Sequence, residues 1–124
     1  MYMFLLEQVP DNRRIPEEQW PALLAPWYRG RVLVIGDAAH ATTSHMVYGC
    51  ELAVEDALVL AEELSGAPAA IEPALRRFME RRFECCKAVV EGSVQLGQIE
   101  MAQGSLEEHS KVTASVSRVI SQPI

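Results

Sequence analysis

The residues best suited to ligand chemistry are Gly36 and Asp37, which directly follow the apolar run at residues 31–35. This β-branched run predicts a strand buried on both faces. Open sheets covered by helices bind ligands outside the carboxyl ends of their strands. A glycine there lets a ligand approach the backbone, and an aspartate accepts hydrogen bonds from sugar-like hydroxyls. Small residues and a helix N-terminus follow, so the segment suits a polyhydroxylated, partly anionic ligand.

Other side chains near this segment suggest different chemistry, but their pattern does not favour it. His40, His45 and Cys50 are metal-ligating residue types, yet they lie in an expected loop without supporting carboxylates, so we expect no metal site. Ser44 beside a histidine offers a nucleophile and a base, but no Gly-x-Ser-x-Gly elbow surrounds it. The sequence therefore assigns no catalytic residue.

The elements expected before the Gly-Asp pair are short. An apolar and aromatic run at residues 2–9 predicts a strand, and the turn signal at residues 10–12 ends it. A proline followed by two acids at residues 16–18 predicts the first turn of a short helix. This strand and this helix would lead the chain to the strand at residues 31–35.

The elements expected after the Gly-Asp pair are helices. Apolar residues recur at helical spacing over residues 54–64, and Ser65-Gly66 closes that helix. A second apolar face runs over residues 75–90, interrupted by Arg82. Glycines weaken the helical signal after it, and a capping box at residues 105–108 predicts a last helix. The glycines are Gly92, Gly97 and Gly104.

Two of these segments resemble a known family. Residues 30–41 read Gly-Arg-Val-Leu-Val-Ile-Gly-Asp-Ala-Ala-His-Ala, and residues 54–64 read Val-Glu-Asp-Ala-Leu-Val-Leu-Ala-Glu-Glu-Leu. Both resemble the FAD-dependent aromatic hydroxylases, or class A flavoprotein monooxygenases, of which p-hydroxybenzoate hydroxylase is the familiar member. Arginines at residues 76–77 and 81–82 look like the family's following helix. The resemblance covers about residues 2–100.

The resemblance implies FAD as the cofactor and a set of residues around it. Asp37 would contact the ribityl chain, and the loop at residues 42–50 would pass beside the isoalloxazine ring. The helix beginning near Gly49 would aim its N-terminal amides at the pyrimidine edge, where a reduced flavin gathers negative charge. The implied cofactor-binding residues are Gly36, Asp37, Ser44, Gly49, Cys50, Glu51 and Leu52.

The chain departs from the family pattern at two of these positions. Ser44 stands where the family usually has a proline, which loosens the loop. Glu51 stands where the family usually has a glycine, and it adds bulk and negative charge beside the flavin. The same carboxylate complements the dipole of an empty helix N-terminus, so Glu51 favours a vacant site. Glu55 and Asp56, in the first turns of the same helix, are expected to act in the same way, as dipole-stabilised acids.

A larger departure concerns the part of the family that binds pyrophosphate. No Gly-x-Gly-x-x-Gly loop occurs in the 124 residues, so the chain resembles the C-terminal part of such an enzyme without its N-terminal βαβ unit. The expected fold class is α+β and mostly helical, with a strand-loop-helix unit followed by long C-terminal helices. We expect one partial domain over residues 1–124: short strands and a short helix to residue 35, the flavin-loop motif at 36–53, and helices at 54–124.

Composition and charge limit the partners. Acidic side chains outnumber basic ones by 17 to 11, giving a net charge of −6, and basic residues cluster only in pairs, so nucleic acid is not expected as a partner. No apolar run is long enough to cross a membrane, and no signal peptide is recognisable, so a cytoplasmic protein with reduced cysteines is expected. An apolar stripe would be exposed without the missing domain, which predicts a homo-oligomer or a separately encoded N-terminal portion. The stripe is Phe78, Met79, Phe83, Val89 and Val90.

Two functions remain open from the sequence. The first is a truncated FAD-dependent monooxygenase segment that contributes the Gly-Asp flavin contact and is inactive alone. The second is a non-catalytic helical oligomerisation or interaction module that has lost flavin binding.

Overall fold

The computed structural model describes residues 25–66 and 71–123, and within these ranges the chain forms one two-stranded sheet and four helices. The strands are β1 (Tyr28–Arg29) and β2 (Val32–Leu33). The helices are α1 (Asp37–His40), α2 (Gly49–Ser65), α3 (Ile71–Met101) and α4 (Leu106–Ile120). The described part is therefore mostly helical with a small sheet, consistent with the expected α+β class. The strand predicted at residues 2–9 and the short helix near residue 16 lie outside the described residues.

The strand before the Gly-Asp pair is shorter and more exposed than predicted. β1 and β2 pair antiparallel with Tyr28 opposite Leu33, and Gly30 in the turn between them has a φ of 60°. The prediction of a strand buried on both faces is wrong for this segment, because β1 is its single partner strand among the described residues. Three apolar side chains are consequently exposed to solvent: Val32 at 69%, Val34 at 36% and Ile35 at 38%.

The long helix α3 continues through glycines that were expected to weaken it. A side chain at Gly92 would collide with Val116 of α4, and a Cβ at Gly97 would lie 3.0 Å from Cε1 of His45. These glycines let α4 and the loop before α2 approach α3 closely. Tertiary packing therefore overrides the low helix propensity of glycine.

Helix α2 ends, and helix α4 begins, where the sequence predicts. Ser65 is the last residue of α2, and the amide of Gly66 donates to carbonyls of its last turn. The hydroxyl of Ser105 accepts from the amide of Glu108 at 3.2 Å, and the Glu108 carboxylate accepts from the amide of Ser105 at 2.7 Å. The hydrogen bonds that the amide and the hydroxyl of Ser105 donate to the Glu108 carboxylate lower its pKa. The reciprocal bonds confirm the capping box.

The core is centred on Trp27, which lies just before β1. Its ring centroid is 6.2 Å from that of Phe78 and 5.8 Å from that of Phe83, both on α3. Phe78 and Val89 are fully buried, so most of the apolar stripe of α3 packs within the chain rather than facing solvent. The basis for predicting association through that stripe is therefore wrong.

Helix α2 also carries exposed apolar side chains. Val54 is 55% exposed and Leu58, one turn further along, is 58% exposed. The segment just before α1 lies next to this part of α2, because a Cβ at Gly36 would be 3.5 Å from the Cβ of Ala53. No helix in the described ranges has the length and apolar character that crossing a membrane requires.

Candidate functional site

The Gly36 turn has a backbone that only glycine adopts readily. Gly36 has φ 58° and ψ −143°, a conformation essentially reserved for glycine. Its carbonyl accepts hydrogen bonds from the amides of Ala39 at 2.8 Å and His40 at 2.9 Å. Its amide donates to Oδ2 of Asp56 at 3.1 Å. The turn at the end of the strand is thus attached to α2 as well as to the short helix α1.

Asp56 is the centre of a buried polar cluster. Its Oδ2 also accepts from Nε2 of His40 at 2.7 Å, and its Oδ1 accepts from Nε of Arg82 at 2.9 Å. All three side chains are at most 2% exposed. Burial by itself raises the pKa of Asp56, but the hydrogen bonds from His40, Gly36 and Arg82 outweigh it and hold the pKa below its ordinary value. We call Gly36, His40, Asp56 and Arg82 the Asp56 clamp.

Arg82 explains the interruption in the apolar stripe of α3. Besides Asp56, its Nη1 lies 2.8 Å from Oε2 of Glu55, and its Nη2 donates to the carbonyl of Leu52 at 3.3 Å. The guanidinium is therefore compensated by two carboxylates and a carbonyl of α2. Glu55 and Asp56 were expected to act as dipole-stabilised acids, whereas their side chains face Arg82 across the helix interface.

The buried cluster also has the composition of a metal site. Ligand atoms of His40, Asp56 and Cys86 lie within 4.8 Å of one another. Both oxygens of Asp56 already accept hydrogen bonds, and Arg82 places a fixed cation beside them. Burial raises the pKa of the Cys86 thiol to about 12, so it stays protonated. This donor set fits a hydrogen-bonded clamp and does not fit a metal ion.

The loop at residues 41–48 is held against α3. The amide of Thr43 donates to Oγ of Ser93 at 3.2 Å, and the Thr43 hydroxyl donates to the Ser93 carbonyl at 3.0 Å. Ser44 is exposed, and its carbonyl accepts from the amide of Val47 at 3.3 Å. Ser44, which was expected to loosen the loop, therefore lies in a turn directly after the anchored Thr43.

The predicted cofactor residues collect around the start of α2. Asp37 is exposed, and a Cβ at Gly49 would lie 3.9 Å from its Oδ1 and 2.9 Å from Oγ1 of Thr42. Gly49 thus leaves space between Asp37 and the first turn of α2. Tyr48 at the N-cap gives no side-chain hydrogen bond to that turn.

The other three predicted residues follow directly in α2. Cys50 and Glu51 are exposed, and Glu51 lies in the first turn. Leu52 is completely buried, and its amide donates to the carbonyl of Tyr48 at 3.1 Å. Cys50 and Glu51 thus face solvent at the helix start, while Leu52 packs in the core.

Sequence reasoning did not find the Asp56 clamp. It singled out Asp56 and Arg82 separately, as a helix-end acid and as an exception in an apolar stripe. A buried arginine requires a carboxylate partner, so the interruption of the apolar stripe by Arg82 was the signal from which the ion pair could have been predicted. The three candidate metal ligands considered in the sequence do not lie together in the structure. His40 faces Asp56, His45 lies against α3, and Cys50 is exposed.

The strand end, the Gly36 turn and the exposed Asp37 thus lie together beside the start of α2. Residues 15–93 match the family model of the FAD binding domain. The chain belongs to this family, that of the FAD-dependent aromatic hydroxylases, and the cofactor of the family is FAD. The resemblance drawn from residues 30–41 and 54–64 is thereby confirmed.

Several curated relatives are similar to the chain. It is 45% identical over 103 residues to the aurachin C monooxygenase/isomerase of Stigmatella aurantiaca, covering 77% of this chain and 25% of that protein. It is 35% identical over 81 residues to the 3-hydroxybenzoate 6-hydroxylase of Polaromonas naphthalenivorans, covering 65% and 20%. It is 52% identical over 46 residues to a 2-heptyl-3-hydroxy-4(1H)-quinolone synthase of Pseudomonas aeruginosa, covering 37% and 12%. The chain therefore spans a quarter or less of these relatives. No solved structure matches it.

Proposed function

We propose that the chain supplies one part of the FAD site of an aromatic-ring monooxygenase, and that residues outside this segment supply the rest. The observation that carries this proposal is the Asp56 clamp, which holds the Gly36 turn so that Asp37 stays exposed beside the start of α2. The exposed carboxylate provides acceptors for sugar-like hydroxyls, and the first turn of α2 provides backbone donors. Gly49 leaves the space between them unfilled.

These features fit the ribityl and pyrimidine part of FAD. When bound, FAD supplies the redox chemistry of an oxygenase. Within the chain, Asp37 would orient the ribityl hydroxyls, and the amides at the start of α2 would stabilise negative charge at the pyrimidine edge. The sequence contains no glycine-rich loop for the pyrophosphate, so a complete site needs residues from elsewhere.

In this proposal the rest of the site comes from an N-terminal FAD-binding portion. The exposed apolar residues at positions 32–35 and on α2 are the surface on which it would dock, because Ile35 directly precedes Gly36 and Ala53 of α2 lies next to it. β2 has one neighbouring strand in the described part of the chain, so its other edge is open for strand addition.

A reconstitution experiment tests the proposal. The chain is mixed with the portion of the aurachin C monooxygenase/isomerase that precedes the matched segment, and visible absorption of FAD is recorded after desalting. We expect flavin bands to remain with the mixture and to be lost with Asp37→Ala. Glu91→Ala, an exposed acid on α3, is the matched control and should retain them. Equal retention by both variants would contradict the assignment of Asp37.

The second candidate function is a non-catalytic interaction module, and one observation favours it. Glu51 is exposed in the first turn of α2, where its carboxylate complements the helix dipole without any ligand. This function predicts a colourless protein that binds no FAD even when Glu51→Gly and Ser44→Pro are combined and the N-terminal portion is present. Flavin retained by that double variant would exclude the module.

A further inference from the structure

We propose that one face of α3, formed by Ser93, Gly97 and Glu100, positions the FAD site. It does so by fixing the loop at residues 41–48 in the conformation that leads into α2. The three residues are spaced by four and three positions, so they lie on the same side of the helix. We call them the loop-binding face. Its effect on FAD rests on the proposed function, whereas its effect on the loop does not.

Ser93 holds Thr43, near the start of the loop. The amide of Thr43 donates to Oγ of Ser93 at 3.2 Å, and its hydroxyl donates to the Ser93 carbonyl at 3.0 Å. Ser93 is completely buried, and its own hydroxyl donates to the carbonyl of Val90 at 2.8 Å. Oγ of Ser93 is therefore oriented so that its lone pairs accept from Thr43. Both the backbone and the side chain of Thr43 are thus fixed to α3.

Gly97 and Glu100 hold His45, two residues further along the loop. The His45 ring occupies the space over Gly97, where a Cβ would lie 3.0 Å from Cε1 and 3.3 Å from Nδ1. Nδ1 also lies 2.7 Å from the Thr43 hydroxyl, and Nε2 lies 3.2 Å from Oε2 of Glu100. Because Glu100 is 54% exposed, we expect its ion pair with His45 to contribute less than the close packing on Gly97.

Val47 has a backbone conformation that its own side chain disfavours. Its φ is 53°, in the left-handed region that β-branched residues rarely adopt. The side chain is 82% exposed, so the packing of Val47 itself does not compensate for the strain. Such strain persists only where the surrounding structure determines the conformation. The loop-binding face holds the chain shortly before Val47, and α2 begins two residues after it.

The anchored end of the loop lies beside the predicted FAD contacts. A Cβ at Gly49 would lie 2.9 Å from Oγ1 of Thr42 and 3.9 Å from Oδ1 of Asp37. Thr42, directly before the anchored Thr43, thus lies at the space between Asp37 and the first turn of α2. Release of the loop would change that space. A loop already held in this conformation spares the cofactor the cost of ordering it.

A double-mutant cycle on the chain alone tests whether the loop-binding face strains Val47. Val47→Gly should raise the thermal unfolding midpoint by about 2–5 °C, because glycine adopts a positive φ without strain. In a chain released by Ser93→Ala and Gly97→Ala the loop can relax by itself, so the same substitution should give less than about half of that shift. Circular dichroism reports both the folded state and the midpoint.

The FAD affinity of the reconstituted mixture is the readout that a purely structural role would not change. We expect Ser93→Ala and Gly97→Ala each to raise the Kd of FAD about tenfold, because part of the population no longer has the competent loop. Alanine favours a helix over glycine, so a weaker helix would not explain the loss in Gly97→Ala. Gly92→Ala is the matched control on the same helix, since its Cβ would collide with Val116 of α4 and not with the loop. It should lower the thermal midpoint and leave the Kd of FAD nearly unchanged.

The outcomes distinguish the loop-binding face from the proposed function. Equal midpoint shifts for Val47→Gly in the parent and in the released chain would show that α3 does not strain the loop, and would overturn the proposal. A lower midpoint for Val47→Gly in the parent would do the same. FAD affinity in Ser93→Ala and Gly97→Ala no weaker than in Gly92→Ala would overturn the effect on FAD. If the parent mixture retains no flavin, the proposed function fails together with the effect on FAD, and the midpoint cycle still decides whether α3 fixes the loop.

Discussion

Asp56→Asn is the most informative single substitution, because it keeps the size of the side chain and removes the charge at the centre of the Asp56 clamp. The carboxylate lies 2.9 Å from Nε of Arg82, and both side chains are buried. Removing one partner of a buried ion pair costs about 3–5 kcal/mol, since the other charge stays buried without compensation. Arg82 keeps the Glu55 carboxylate at 2.8 Å, so we expect the lower end, about 3 kcal/mol.

Urea unfolding followed by far-ultraviolet circular dichroism measures this effect. The matched control is Glu63→Gln, which removes a half-buried carboxylate whose partners Arg77 and Arg81 reach solvent and which should therefore change the midpoint less. Combining Asp56→Asn with Arg82→Met should destabilise the chain by less than the sum of the two single changes, because no unpaired charge remains. This double variant keeps the test usable if the single one does not fold.

Two results would refute the stabilising role of the Asp56 clamp. If Asp56→Asn moves the urea midpoint no further than Glu63→Gln does, the Asp56 clamp does not stabilise the fold. Strict additivity of Asp56→Asn and Arg82→Met would likewise show that the two side chains do not interact.

Three further predictions follow from the same structure. The pKa of Asp56 is lowered in the folded chain, so its stabilisation is present above the ordinary pKa and is lost as the pH falls through the lower folded pKa. The urea midpoint should therefore decrease when the pH is lowered below about 4, and it should decrease less in Asp56→Asn. Gly92→Ala should destabilise the chain by about 1–3 kcal/mol in thermal unfolding, and Val116→Ala should recover part of the loss, because the new methyl group would overlap Val116. Alkylation at pH 8 read by mass spectrometry should modify exposed Cys50 first and buried Cys86, with its pKa of about 12, only on unfolding; equal rates would contradict this placement.

Local signals in the sequence predicted the helices well. The end of α2 at Ser65 and the capping box at Ser105 agree with the structure, because both depend on residues within one turn of each other. The long motif at residues 30–41 also led to the correct family. Such features depend on neighbouring residues, and a sequence displays them directly.

Long-range features were predicted poorly. The glycines at positions 92 and 97 reduce helix propensity, yet α3 continues through them because α4 and His45 pack against them. The residues after β2 form an apolar run typical of a buried strand, yet Val34 and Ile35 are partly exposed because burial depends on which elements cover them. Periodicity identifies an apolar face but does not identify what covers it.

The sequence by itself determined where α2 ends, where α4 begins, the family and its cofactor, because these depend on local spacing and on a contiguous motif. The tertiary structure alone decided that Arg82 pairs with Asp56, 26 residues away, and that this pair holds the Gly36 turn. It also decided that Glu100 lies between His45 and His109. Charged side chains find partners by distance in space, and the packing of α2, α3 and α4 sets those distances.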